Sequence, residues 1–168
     1  MITADYARLM ARYNRWQNGS LVAAADGLDD GARRADRGAF FGSIQATLNH
    51  VLWGDRIWMS RFADWEKPAG GIAESPQITP DWESYKAARL RADADIVDWA
   101  NGLTDADLAG DLSWYSGSLQ ADMVNPMALC VAHFFNHQTH HRGQVHAMLT
   151  AAGARPEATD LFIMPESA

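Results

Sequence analysis

A single cysteine, Cys130, leaves the chain no means of forming an internal disulfide, which excludes a disulfide-stapled scaffold and fits a reducing compartment. That residue is expected to be a small buried apolar group. No apolar run approaches the roughly 18 residues that a membrane-crossing helix needs, so no membrane partner is expected. The opening residues Met1 to Asp5 lack the basic stretch and apolar core of a signal peptide, and the expected location is cytoplasmic. Basic residues are scarce too: 14 Lys and Arg stand against 21 Asp and Glu, for a formal charge of -7 and a pI of about 5.2. The densest basic spot is the pair Arg33-Arg34, too little to track a phosphate backbone, so nucleic acid is not an expected partner.

What the chain does have is apolar mass. Of its 168 residues 48% are hydrophobic and 21% charged, enough to build one sizeable core and to argue against wholesale disorder. A single domain over residues 1–168 is expected. Seven tryptophans are many for this length; core or interface packing is the plain expectation, with one or two left to line a substrate pocket.

Hydrophobic periodicity marks four helices. The first is capped by Thr3 and runs to about residue 25, with Tyr6, Leu9, Tyr13, Trp16 and Leu21 along one face. Residues 26–38 read as a connection. The second helix covers about 43–65 and is apolar over more than half its circumference, as a central helix should be. A Gly/Pro/Ser-rich loop, 68–80, ends in the start signal Thr79-Pro80-Asp81. The third helix follows to about residue 103, with a seam of Trp82, Tyr85, Arg89, Ala92, Ile96, Trp99 and Leu103. Arg89 breaks that apolar seam and is expected to snorkel or pair. Residues 112–119 suggest a short hairpin. The fourth helix is expected to open with Asn125 as N-cap and Pro126 in its first position, and to close at Gly153. Beyond it, Leu161-Phe-Ile-Met164 is expected to pack back over the bundle or against a second subunit. The predicted class is all-α, a four-helix bundle with a short hairpin or irregular insert before the last helix.

Five of the six histidines fall in the fourth helix: His133, His137, His140, His141 and His146. At about 100° per residue, His137 and His141 lie about 40° apart and one turn removed, so both imidazoles share a face and can grip one ion. Cys130, Phe134, Gln144 and Met148 share that stripe, which should face the core; His146 lies opposite and is expected to be solvent-exposed. A catalytic metal normally takes three protein ligands. The sixth histidine, His50, sits midway along the second helix, with Gly54 one turn later and Ser43 about two turns before, small residues that leave space for substrate or water. Each piece alone is weak, because a lone histidine on an apolar helix is more often a satisfied core residue. Together they are stronger, since several neutral imidazoles facing one core would need many hydrogen-bond partners. The pairs His133 with His137 and His137 with His140 remain open. His137 with His141 is preferred because Gln144 stands beside it as a supporting partner. His140, about 60° round from His137, is the candidate acid/base group.

Leu48-Asn-His-Val-Leu-Trp-Gly-Asp55, the run Asn136-His-Gln-Thr-His-His-Arg-Gly-Gln144 and the opening-helix segment Tyr13-Asn-Arg-Trp-Gln-Asn18 together resemble the DinB family of metal-binding four-helix bundles. The resemblance covers nearly the whole chain. It implies three metal-ligating histidines, one from the second helix and two from the last, at His50, His137 and His141. It also implies zinc or nickel as the ion, a homodimer, and kinship with enzymes that transfer low-molecular-weight thiols such as bacillithiol, isomerise substrates with mycothiol, or resemble metal-dependent hydrolases. The family name refers to induction by DNA damage and implies no DNA binding.

Three uncharged ligands leave a divalent ion its full charge, which lowers the pKa of a bound thiol or water. No Glu lies beside the histidine pair as in HExxH hydrolases, and Asp55, about 140° from His50, cannot easily reach the metal from the same helix. Metal-activated thiol chemistry of the S-transferase type is therefore ranked first, with a low-molecular-weight thiol as small-molecule partner. Hydrolysis by a metal-bound water, with His140 or a distant carboxylate as base, ranks second. The contrasting classes are a non-catalytic metal- or ligand-binding stress-response protein, and a metal-free bundle whose histidines bond one another.

Overall fold

The computed structural model describes residues 1–167 and is mostly helical, with a small two-stranded sheet. Four helices are long: α1 (Ala4–Asp26), α3 (Ile44–Phe62), α4 (Trp82–Gly102) and α5 (Met127–Ala151). A short α2 (Asp30–Arg34) lies within the stretch expected to be a plain connection; Asp29 nucleates it by accepting from the Ala32 N–H. An antiparallel hairpin of β1 (Asp111–Ser116) and β2 (Ala121–Pro126) precedes α5, so the chain is not purely α-helical.

Capping side chains start three of the long helices. Thr3, Ser43 and Asp81 accept from the N–H groups of Tyr6, Ala46 and Ser84. Two boundaries differ from expectation. Helix α3 stops at Phe62 rather than near Trp65. Asn125 does not cap α5, and Pro126 stands at the cap position rather than in the first turn, with no side-chain capping bond: the two pair with Leu112 and Asp111, and the Met127 N–H bonds Gly110 O, so the sheet ladder claims the residues that propensity assigned to the helix start. The far end of α5 matches expectation. Gly153 adopts φ 83°, its N–H reaches Thr150 O, and the Ala154 N–H reaches Leu149 O. That is a Schellman closure, in which a left-handed residue lets two late carbonyls find donors.

Each long helix packs against two others: α1 against α4 and α5, α3 against α4 and α5. Two apolar clusters hold them. One joins Leu21, Leu48, Leu52, Tyr85 and Leu149; the other joins Ala11, Met59, Ile96, Val131, Phe134 and Phe135. Reading each helix from its start, α1 and α5 pass from the second cluster to the first, while α3 and α4 pass from the first to the second. Pairs α1/α4 and α3/α5 are thus antiparallel.

A buried polar layer separates the clusters, and Arg89 is its centre. Arg89 pairs with Asp55 on α3, and its Nη2 lies 2.8 Å from Asp93 Oδ1. Asn18 of α1 donates to Asp93 (2.8 Å), Gln138 of α5 donates to Asp55, and Arg142 Nη1 donates to Gln138 Oε1 (2.9 Å). Two arginines offset two carboxylates, and all four long helices contribute. The pairing expected of Arg89 is observed.

The tail is tied to α1. The Glu157 N–H bonds Ser20 Oγ (2.8 Å), Tyr13 donates to Thr159 O (2.6 Å) and Gln17 to Ala158 O (3.0 Å). Leu161, Phe162 and Ile163 nevertheless stay exposed, Phe162 at 88%, so that patch does not pack over this chain's own helices as one expectation had it. Cys130 is free and buried. Among the described residues no helix is long and apolar enough to cross a membrane.

Candidate metal centre

His50 leaves α3 toward α5 and meets His137 and His141 there. One ring nitrogen from each lies within 4.8 Å of the others. His50 Nε2 and His137 Nε2 are 3.3 Å apart. Nitrogens bound at about 2.0–2.1 Å in a tetrahedral site must stand about 3.3 Å from one another, so this spacing suits an ion.

The ring orientations are imposed from outside. His50 Nδ1 lies 2.8 Å from Ser75 Oγ, and that hydroxyl donates to Ile72 O at 2.7 Å. Its proton thus committed, Ser75 accepts the Nδ1–H of His50, and the lone pair of Nε2 faces the cluster. His141 behaves likewise: Nδ1 donates to Gln144 Oε1 at 2.9 Å. The amide of Gln144 then reaches His140 Nε2 at 3.3 Å. Ser75 is held in place through the residue before His50: Asn49 donates to Pro76 O (3.0 Å) and accepts from Thr79 Oγ1 (2.8 Å). Phe41 stacks on the His50 ring with centroids 3.9 Å apart.

All three ligand candidates are held neutral. Burial, then the neighbouring His141, pushes His50 down to about 4. Burial and the surrounding imidazoles push His137 down to about 3, and burial lowers His141. Protons compete with a metal only where the free site binds them. Metal retention is therefore expected to stay nearly flat between pH 8 and pH 6 and to fall as pH drops toward 4, well below the range near 6.5 where exposed histidines lose their ions. Equilibrium dialysis across that range checks this; a midpoint at 6.5 would refute it.

Gly54 borders the pocket beside the triad and has a second use: a Cβ there would sit 2.9 Å from Cε1 of His137 and 3.3 Å from its Nδ1, so the glycine also makes room for a ligand ring. Ser43, the other small residue, serves as the α3 cap. Gly54→Ala is expected to displace His137 and weaken metal binding about 10- to 100-fold, the range typical of disturbed ligand support. The metal-free helix would meanwhile gain up to about 1 kcal/mol in propensity. Chelator competition and melting curves would then move in opposite directions.

A pocket of about 550 Å³ opens beside the triad, bordered by Trp53, Trp58 and Trp114 among others. Among the described residues no Asp or Glu lines it. His140 and His133 both border it and are exposed; His133 meets Trp58 edge-on at 5.1 Å. His146 lies away from the triad as expected, but it is half-buried beside Tyr13 and Arg142 rather than open to solvent. Nothing in the sequence singles out Ser75, Asn49 or Phe41; a serine in a Pro-rich loop carries no signal until the loop is folded over α3.

A mostly helical chain with a three-histidine cluster able to hold a metal ion between two long helices defines the class. The chain belongs to the DinB family, whose model matches residues 1–168. Among solved structures, it is similar to a DinB-like protein from Bacillus cereus ATCC 10987, with 17% identity and a TM-score of 0.62 over 85% of this chain and 90% of that one. At that identity the likeness speaks for the fold. A search of curated proteins found no match.

Proposed function

We propose that this chain is a divalent-metal-dependent enzyme, built as a single-domain four-helix bundle over residues 1–168, that acts by thiol S-transfer. His50, His137 and His141 are its ligands. Zinc or nickel is the ion that suits an all-imidazole donor set. The observation that carries the reading is the pair of outward Nδ1–H bonds, to Ser75 and Gln144, which turn two Nε2 lone pairs toward one point at the wall of an open pocket. When bound, the ion supplies Lewis acidity that lowers the pKa of a coordinated thiol or water.

The chain's own groups favour a thiol. A water nucleophile needs a base, and among the described residues no carboxylate borders the pocket. A thiol ionises more readily and needs less help. His140, linked through Gln144 to His141, stands where it can take up or return the proton. The substrate is a small molecule, the compartment is the cytoplasm, and the exposed patch at Leu161–Ile163 supports a homodimer.

The test is turnover of electrophiles with a panel of low-molecular-weight thiols, using untagged protein with and without zinc or nickel. Thiol-dependent, metal-dependent conjugation is expected. Ester or amide cleavage with no thiol requirement would favour the hydrolase. Stoichiometric metal with no turnover of either kind would favour a non-catalytic binder.

A further inference from the structure

The pocket has a second pole. Arg61 follows His50 by eleven residues on α3, which places it within about 20° of the same face and about 16 Å further along the axis. Helical side chains lean toward the helix N-terminus, here the direction of His50. The Arg61 guanidinium lies 4.4 Å from the Trp58 ring centroid and 5.2 Å from that of Trp114, and it borders the same pocket as the triad. It is half-buried, and among the described residues it has neither an ion pair nor a side-chain hydrogen bond. The ionisable groups around it carry no negative charge to offset it. Burial keeps the Cys130 thiol protonated, and burial together with Arg61 itself keeps His133 neutral. The guanidinium sits over the Trp58 ring and beside that of Trp114, while its N–H donors have no acceptor among the described side chains.

We infer that Arg61 is the anion-binding subsite of this pocket, selecting a ligand that bears a carboxylate at one end and its metal-seeking group at the other. The guanidinium fork matches a carboxylate in charge and geometry. A phosphate, with nearly twice the charge, would call for a second cation, and among the described residues Arg61 is the one Lys or Arg that lines the pocket. The inference rests on the metal and thiol reading above, which supplies the other end of the ligand. It differs from a packing role, in which Arg61 would only clamp the hairpin's Trp114 to α3.

The experiment is calorimetric titration of the zinc-loaded full chain with ω-mercaptoalkanoates and the matching ω-mercaptoalkanols, from short to long. Once the chain spans the pocket, the acid should bind about ten- to a hundredfold more tightly than the alcohol, the usual weight of a charge-assisted pair. Arg61→Gln should erase that preference by weakening the acid alone, and Arg61→Lys should keep part of it. Equal binding of acid and alcohol at every length overturns the inference and leaves the thiol reading standing. So does an Arg61→Gln variant that weakens both alike. If no thiol of either kind binds while zinc content is stoichiometric, the thiol reading fails, and the subsite fails with it. The preference is measured first in the unsubstituted protein, so a variant that folds poorly does not decide the result.

Discussion

Alanine at position 137 is expected to lower metal affinity at least about a hundredfold while the metal-free protein still folds. His137 touches both other members of the cluster: its ring centroid lies 5.2 Å from that of His50 and 4.5 Å from that of His141. Structural zinc sites with four ligands bind with about 10–16 kcal/mol, or about 3 kcal/mol per ligand, and each 1.4 kcal/mol is tenfold. Losing one ligand of three therefore removes the site as a stoichiometric one. The fold should survive because neither apolar cluster includes any of the three histidines. Without an ion, the lone pairs of His50 and His141 face one another's neighbourhood with little gain. The clearest readout is the metal-induced rise in melting temperature, which follows from an ion that binds only the native state. It should be present in the parent protein, absent in His137→Ala, and reduced in Gly54→Ala. Equal metal-induced stabilisation of parent and His137→Ala would remove His137 from the ligand set, and metal analysis of the purified variant gives a second check.

The helices and the histidines were legible because both depend on local periodicity. Thr3, Asp81 and Gly153 announce helix ends through short-range bonding, and His137 with His141 share a face by spacing alone. His50 was linked to them by the conjunction of three histidines and by family likeness, and the structure brings its ring to theirs. What could not be read is what depends on long-range placement. Ser75 sits 25 residues from His50 and becomes its partner only when the loop crosses α3. Asn125 and Pro126 look like a helix start in one dimension and become strand when β1 lies beside them. Nothing in the sequence marks Arg61 apart from other charges near helix ends; its unpaired position beside Trp58 and Trp114 needs the hairpin in place. The polar layer was half legible, since Arg89 visibly broke an apolar seam while its partners lay on three other helices.

Arg89→Met is expected to destabilise the protein by about 3–5 kcal/mol, the cost typical of breaking a buried ion pair by removing one partner. Against a total stability of about 5–15 kcal/mol, such a loss is large enough to leave the variant partly unfolded at moderate temperature. Arg89 is 2% exposed and pairs with both Asp55 and Asp93, which are themselves buried. Methionine fills much of the volume but leaves two carboxylates facing one cation, Arg142. Adding Asp93→Asn should recover part of the loss, because one charge is removed while an amide oxygen still accepts from Asn18. The pH dependence has a definite sign. Burial already pushes Asp55 up to about 6 from its usual value near 3.8, and burial raises Asp93 as well. A carboxyl whose native pKa is raised binds its proton more tightly folded than unfolded, so native stability rises as pH falls through that value. Without Arg89 both carboxyls should titrate higher still. The gap between parent and Arg89→Met should then be widest near pH 8 and shrink toward pH 5. Histidine titration is common to both proteins and cancels in the difference. A gap that is constant with pH would show that the loss comes from packing and not from the stranded charges. Because Asp55 and Gln138 directly follow Gly54 and His137, loosening this layer should also loosen the metal, and chelator competition on the variant reads that coupling directly.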